Sequence, residues 1–447
     1  MHTTEKFGRY AQDYHQRALP DEVIHHAKRA VIDWYASLFP GLAAHPLAQL
    51  EDVLADDLDR GRARLGNGRS ATARAAALFN GTAAYATEVD DSFRDAMYHP
   101  GAATIAAALA ASQDAGANGL AFLRALVLGY EVSTRIGVVM GRPHYRFWHN
   151  TGTVGTFGAA AAAAGVLQLG ALPFAHALAT AATFAAGLQQ AFRMDSMSKP
   201  LHAGRAAEAG LLAAQMVARG VTGSLDVLDG DAGLGQAMSN GPDWSQVGAT
   251  LEREFHITRL TFKNHIGCGH TFAAIDAALA LRGQHALQPD DIAHVQVDTY
   301  QPALDIACYD RPATVNEGRF SLHYVIATAL THGSVRLAAY EPAQLDDVRT
   351  RELMKRIDVR VDPAIDAAFP GQRAARVEIT TRAGARLVHL QPNRKGDPEL
   401  PLSDAELESK FLELSGPVMG AAGAKDLLAQ LWALERAARL PDTRVFR

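Results

Sequence analysis

The chain has 447 residues, 48% hydrophobic and 20% charged, with a formal net charge of −5. That much apolar material can build a large core, which excludes a disordered chain. The acidic balance argues against a general nucleic-acid binder, which carries a basic excess. Two cysteines, Cys268 and Cys308, cannot supply a disulfide framework or a structural zinc site by themselves. At about 150 residues per domain, the length predicts two or three domains. Residues 1–14 carry Glu5, Lys6, Arg9 and Asp13 and no apolar run. They do not read as a signal peptide, so a cytoplasmic location is expected.

The first two-thirds reads as successive helices. Pro20-Asp21-Glu22 opens one, with acidic residues where they suit the helix dipole. Val23, Ile24, Ala27, Val31, Trp34 and Leu38 follow at helical spacing until Gly41 and Pro46. Thr72 to Ala86 predicts an alanine-rich helix with Gly81 as a weak point. Ala102 to Ala111, Leu120 to Met140 and Ala206 to Arg219 predict three more. Between Arg146 and Arg193 there is no Asp, Glu, Lys or Arg. The length would cross a bilayer, but the run is mostly Ala, Gly and Thr, with Gln168, Pro173 and His176 inside it. It reads as two helices buried on all sides, broken near Gly170 to Pro173, and not as a membrane segment.

The character changes near residue 260. Ala273 to Leu281 predicts a helix, and Ile292 to Thr299 alternates as a half-buried strand does. Ser321 to Thr331 predicts a helix ending at Gly333, and Val359 to Val361 a short strand. Val377 to Thr381 and Arg386 to Leu390 read as a hairpin. After Pro401 the pattern returns to helix, opening on the capping sequence Ser403-Asp404-Ala405-Glu406. The expected fold is mainly α: a large all-helical domain over residues 1–260 and 399–447, with a smaller α+β lid domain over 261–398 inserted in it.

Common cofactor and nucleophile signatures are absent: no dinucleotide glycine fingerprint in a strand–helix setting, no Walker A loop, no HExxH and no GxSxG. What remains is five clusters in short punctuated segments, where function usually sits. Glu88-Val89-Asp90-Asp91-Ser92 is followed by His99-Pro100-Gly101. Its carboxylates read more readily as a solvated turn than as a divalent-metal site. His99 opens a helix, where free backbone N–H groups suit an anion. The second cluster, His144-Tyr145-Arg146-Phe147-Trp148-His149-Asn150, stands before the uncharged run. The third, Arg193 to Arg205 with Lys199 and His202, ends it. The fourth is Lys263-Asn264-His265-Ile266-Gly267-Cys268-Gly269-His270. Its Cys268/His270 pair is too close for usual zinc spacing and has no second pair. The fifth is Ser321-Leu322-His323-Tyr324.

These segments, in this order, resemble the MmgE/PrpD family, which includes 2-methylcitrate dehydratases, cis-aconitate decarboxylase and iminodisuccinate epimerase. The similarity lies in Glu88 to Ser92 with His99-Pro100-Gly101, in Trp148 to Thr153 with the alanine run, and in Ser198-Lys199-Pro200-Leu201-His202. It continues in Lys263 with Gly269 to Ala277, and in Ser321 to Tyr324. The resemblance implies a helical domain and a lid with the site between them, a homodimer, and chemistry without metal or organic cofactor. Its implied pocket residues are Glu88, Ser92, His99, His149, Lys199, Lys263 and Tyr324. Tyr145, Arg193, His202 and Cys268, from the same clusters, join Glu88 and Ser92 as candidate substrate-binding residues. Glu88 and Ser92 stand where the family has aspartate and threonine, departures that reshape the pocket the resemblance implies.

A local set of lysines and histidines in an acidic chain would attract a small di- or tricarboxylate. Cations there stabilise negative charge developing beside a carboxylate. The expected scheme has His99 or His149 moving the α-proton. Tyr324 or the other histidine would protonate a leaving hydroxyl, with Lys199 and Lys263 holding carboxylates. Dehydration of a 2-methylcitrate-like acid is the expected reaction. Epimerisation and decarboxylation share its opening step. A non-catalytic organic-acid-binding protein is the alternative from another class.

Overall fold

The computed structural model describes residues 1–192 and 196–443. The chain divides into two compact units: Met1–Thr261 with the segment from Ser403 onward, and Phe262–Leu402. The fold is mainly helical, with a small β-sheet region inserted in the sequence.

The first unit is a helical assembly: α1 (Thr3–Gln16), α2 (Asp21–Gly41), α3 (Ala73–Ala86), α4 (Pro100–Ala115), α5 (Gly119–Tyr145), α6 (Asn150–Val166), α7 (Ala171–Ala182) and α8 (Ser198–Val217). A two-stranded hairpin, β1 (Leu58–Arg64) with β2 (Ser70–Ala71), stands between α2 and α3. Neither α1 nor this hairpin is anticipated by the sequence reading. Cap residues set the helix starts: the Thr72 hydroxyl accepts from Ala75 N–H, and the Asn118 side chain accepts from Ala121 N–H. α4 stops at Gly116 in the left-handed region, and α5 kinks at Gly141, φ 60°. The uncharged run forms α6 and α7, and Asn150 to Gly165 is buried throughout. Among the described residues, no helix is long and apolar enough to cross a membrane.

Gly81 is a contact point and not a weak point. A Cβ there would lie 3.0 Å from the Gly204 Cα, and one at Gly204 would lie 2.2 Å from the Leu78 carbonyl oxygen. The two glycines let α3 and α8 approach backbone to backbone. Ser198 to Arg205, expected as a connecting segment, is the first two turns of α8. The register therefore brings Lys199 and His202 to α3 as residues of a rigid element.

The C-terminal helix, Asp404–Trp432, opens with a reciprocal Ser403/Glu406 capping box and breaks at Gly420. It packs along α2. Arg29 on α2 pairs with Asp404, Trp432 stacks on His25 at 5.2 Å, and Lys410 Nζ lies 2.5 Å from Asp33 Oδ1.

The second unit carries a four-stranded sheet in the order β4-β3-β5-β6: β3 (Ile292–Thr299), β4 (Ile357–Val361), β5 (Ala375–Thr381) and β6 (Arg386–Gln391). β3 and β4 are parallel, with Val295 opposite Ile357. The other pairs are antiparallel, and β5–β6 is a hairpin turning through Gly384, φ 86°. α9 (Phe272–His285) packs on β5 and β6, and α10 (Leu322–His332) lies in the connection that a parallel β3–β4 pair requires.

Candidate functional site

The first unit brings Glu88, His99, His149, Lys199 and His202 together. α3 ends at Ala86, and Glu88 follows in the left-handed region at φ 57°. This is a strained conformation for a residue with a Cβ. It turns the carboxylate to Lys199, whose Nζ lies 2.6 Å from Glu88 Oε1. The same ammonium sits 5.5 Å from the Tyr85 ring centre and 4.6 Å from that of Phe192.

The acidic cluster does not converge on one point. Glu88 goes to Lys199, and Asp90 Oδ2 lies 3.2 Å from His99 Nδ1. Asp91 accepts from Gly101 N–H at Oδ1 (2.9 Å) and from the Tyr130 hydroxyl at Oδ2 (2.7 Å). Asp91 thus caps the first turn of α4 from a distance. Burial pushes its carboxyl up to about 8, reinforced by Asp33 and Asp90. Among the described residues, no three His, Cys, Asp or Glu side chains are grouped to hold a metal ion.

His99 is the N-cap of α4 and 23% of its side chain is exposed. Its Nδ1 lies 2.9 Å from the Asp91 carbonyl oxygen. A carbonyl only accepts, so Nδ1 carries the hydrogen and Nε2 presents its lone pair. Asp90 stands behind the ring with charge opposite to the imidazolium that forms if Nε2 takes a proton.

His149, the N-cap of α6, is 2% exposed and differs from His99. Both its ring nitrogens face protein groups: Nε2 lies 3.1 Å from the Tyr85 hydroxyl and Nδ1 2.9 Å from His202 Nδ1. Burial, then Lys199, His202 and His99, hold the imidazole well below the usual histidine range. Burial and Lys199 lower His202 as well. Tyr85, also buried, is driven well above the usual phenol value, first by burial and then by Asp90 and Glu88. The region is therefore built of neutral rings around one ammonium.

Ser92 is half-buried and exchanges backbone hydrogen bonds with Thr261. Tyr145, half-buried at the end of α5, is close enough to act electrostatically on Tyr85. Arg193 lies outside the described residues. His144 is structural: Nδ1 faces the Met238 carbonyl and Nε2 the Thr153 hydroxyl.

Lys263, Cys268 and Tyr324 belong to the second unit. Lys263 is buried. Cys268 is buried with its N–H on the Arg319 carbonyl. Tyr324, at the start of α10, is fully buried and its hydroxyl donates to the Ala339 carbonyl. Beside them, His265 Nε2 lies 2.7 Å from Asp276, which also accepts from Lys395 N–H. His270 Nδ1 lies 2.9 Å from the Tyr300 hydroxyl, and burial with Arg373 and Arg394 lowers that imidazole to about 3.

Sequence reasoning missed Tyr85 and Phe192, which touch more of the site than most residues it named. Tyr85 had one visible signal: it is a lone tyrosine in an alanine-rich helix, one turn before Glu88.

A half-buried lysine–carboxylate pair beside several imidazoles, on a helical scaffold with a small inserted sheet, fits an enzyme that modifies a small organic acid. The chain belongs to the MmgE/PrpD family: residues 5–247 match its N-terminal domain and residues 265–435 its C-terminal domain. It is 26% identical to the cis-aconitate decarboxylase of Homo sapiens over 91% of this chain and 86% of that one. It is 27% identical to the cis-aconitate decarboxylase-like protein oryM of Aspergillus oryzae, over 95% and 92%. To a cis-aconitate decarboxylase of Aspergillus terreus it is 24% identical, over 97% and 93%.

Proposed function

We propose that the protein is a lyase that removes CO₂ from a small unsaturated tricarboxylate of the cis-aconitate type. The observation that carries this reading is the division of labour in the first unit. Lys199 already holds one carboxylate, that of Glu88, which marks a seat for another. Of the two helix N-cap imidazoles, His99 and His149, His99 is the one with a nitrogen left to act. The relatives' names favour decarboxylation over the dehydration expected from the sequence, since the full-length relatives reported above carry decarboxylase names.

In this reading the substrate displaces Glu88 and places one carboxylate on Lys199. The C–C bond to a second carboxylate breaks, and CO₂ leaves without the electron pair. The pair spreads over the adjacent double bond, where Lys199 and the neighbouring dipoles stabilise it. It is then quenched by a proton from His99 Nε2. His99 must start as the imidazolium, with Nδ1–H held by the Asp91 carbonyl and the Asp90 carboxylate.

The alternatives predict the opposite pH dependence. Dehydration and epimerisation both begin with removal of an α-proton, which needs neutral His99. Decarboxylation needs the imidazolium as its proton donor, so lower pH favours it where it disfavours the alternatives. The test is proton NMR in D₂O with cis-aconitate, citrate, 2-methylcitrate and iminodisuccinate. Loss of CO₂ with one deuterium gained at carbon is the expected result, and His99→Asn lowers kcat by about 10²-fold or more. New alkene signals from a hydroxy acid, or α-deuteration without net reaction, would overturn the reading in favour of a dehydratase or an epimerase.

A further inference from the structure

We propose that Tyr85, His149 and His202 form a proton relay in which Tyr85 is a positioning residue and His202 the outer end. The relay serves the proton-consuming reaction proposed above and rests on that reading for its purpose, though not for its existence.

The geometry is a continuous chain. The Tyr85 hydroxyl lies 3.1 Å from His149 Nε2, and His149 Nδ1 lies 2.9 Å from His202 Nδ1. Both are hydrogen-bond distances. Neither contact involves a carbonyl or carboxylate, so no fixed acceptor dictates its direction. Two arrangements satisfy both contacts, and the Thr151 side chain offers the Tyr85 hydroxyl a further partner. In one, Tyr85 O–H donates to His149 Nε2, His149 Nδ1–H donates to His202 Nδ1, and His202 Nε2 carries a hydrogen. In the other, His202 Nδ1–H donates to His149 Nδ1, His149 Nε2–H donates to Tyr85, and the phenolic hydrogen points away from the chain.

Converting the first arrangement to the second adds a proton at the Tyr85 oxygen. It moves the phenolic proton to His149 Nε2 and the His149 Nδ1 proton to His202 Nδ1, and releases the His202 Nε2 proton. Three bonds to hydrogen form and three break, and the chain is neutral before and after. That neutrality suits the surroundings. The Lys199 ammonium stands over the Tyr85 ring, while His99 and Phe192 pack edge-on to Tyr85 and His149 respectively. An imidazolium at His149 would face that ammonium across a buried space, whereas a concerted shift creates no new charge. Glu88 and Asp90 are the anionic groups acting on Tyr85, and each faces a cationic or imidazole partner.

The two ends have different settings. Tyr85 packs against His99 and Lys199, the groups proposed to face substrate. His202, on α8, is only half-buried. Run from His202 inward, the relay returns a proton to the substrate side after His99 has given one up.

Tyr85→Phe keeps the ring under Lys199 and deletes only the hydroxyl. The expected result is a fall in kcat of about 10²-fold, with KM within about threefold and a melting temperature lowered by only about a few degrees. A packing role alone would not split kcat from KM in this way. The second measurement needs no substrate: ¹⁵N NMR of histidine-labelled protein between pH 6 and 8. In the wild type, His149 and His202 are expected to show nitrogen shifts averaged between the two neutral tautomers, and Tyr85→Phe freezes each in one tautomer. A single fixed tautomer or an imidazolium in the wild type, or a Tyr85→Phe enzyme with kcat within twofold of wild type, overturns the relay. If no acid in the substrate panel turns over, the functional reading fails while the NMR result still decides the relay.

Discussion

Lys410 and Asp33 are both 0% exposed, with Lys410 Nζ 2.5 Å from Asp33 Oδ1 and 2.8 Å from the Val89 carbonyl oxygen. One ammonium therefore ties the C-terminal helix to α2 and to the loop carrying Glu88 and Asp90. Replacing it by methionine conserves the stem and removes the charge. Asp33 then keeps a buried carboxylate without its ammonium, and the Val89 carbonyl loses a donor. Breaking a buried pair from one side costs about 3–5 kcal/mol. An orphaned carbonyl adds about 1 kcal/mol or more. We expect Lys410→Met to cost about 4 kcal/mol, and at about 2–3 °C per kcal/mol in a unit of this size its melting point drops by about 10 °C. The assay is thermal and urea unfolding of Lys410→Met, Asp33→Asn and the double variant, with the coupling taken from the cycle. The double variant should recover about 2 kcal/mol or more, because no buried carboxylate is stranded. Activity measured well below the transition should also fall, since Val89 lies between the residues that hold Lys199 and His99. A single-variant cost below about 1 kcal/mol, or a double variant as unstable as the sum, would refute the assignment.

Two other perturbations follow from the same physics. Asp91 is raised to about 8 from an ordinary value of 3.8. The folded protein therefore binds a proton that the unfolded chain has released, and stability falls as pH rises from about 4 to about 8. Asp91→Asn removes that dependence, so the variant should gain on the wild type steadily across that window, most at pH 8–9. Parallel stability profiles would show that the carboxyl is ionised throughout. Gly204→Ala puts a methyl 2.2 Å from the Leu78 carbonyl and 2.1 Å from the Thr82 hydroxyl. The helix-propensity gain of about 1 kcal/mol is outweighed by overpacking of about 1–3 kcal/mol or more. Denaturation should show a net loss, together with reduced activity from displacement of Lys199 and His202. A stabilised variant would mean that α3 and α8 are not in close contact.

The elements legible in the sequence are those with local causes. Ile292 to Thr299 alternates because one sheet face is covered by helices, and the strand has those bounds. The Ser403 capping box marks the start of the C-terminal helix because its two hydrogen bonds close within four residues. The uncharged run reads as two buried helices because nothing in it demands solvent. What was not legible depends on partners distant in the chain. Ser198 to Arg205 looked like a loop because it mixes charge with Pro200, yet proline in the first turn of α8 costs no hydrogen bond. Gly81 looked like a defect until Gly204, more than a hundred residues away, supplied its reason. The histidine and lysine clusters could be found as local motifs. Their hub, Tyr85, could not, because its role comes from three helices meeting on one ring. Lys410 left a faint trace: a lysine within the apolar stripe Leu407, Phe411 and Leu414, where a solvated charge has no place.

The same partnerships explain how an acidic loop can serve an anionic substrate. Glu88, Asp90, Asp91 and Asp33 would repel a polycarboxylate if they were all free charges. Each is answered: Glu88 by Lys199, Asp90 by His99, Asp33 by Lys410, and Asp91 by the proton that burial favours. Of these, only the Glu88–Lys199 pair joins a strained backbone to an ammonium resting on aromatic rings. The others are locked by burial, by a helix terminus or by a backbone carbonyl. On the proposed function, an entering carboxylate would exchange with Glu88 and meet an ammonium already placed against the Tyr85 and Phe192 rings.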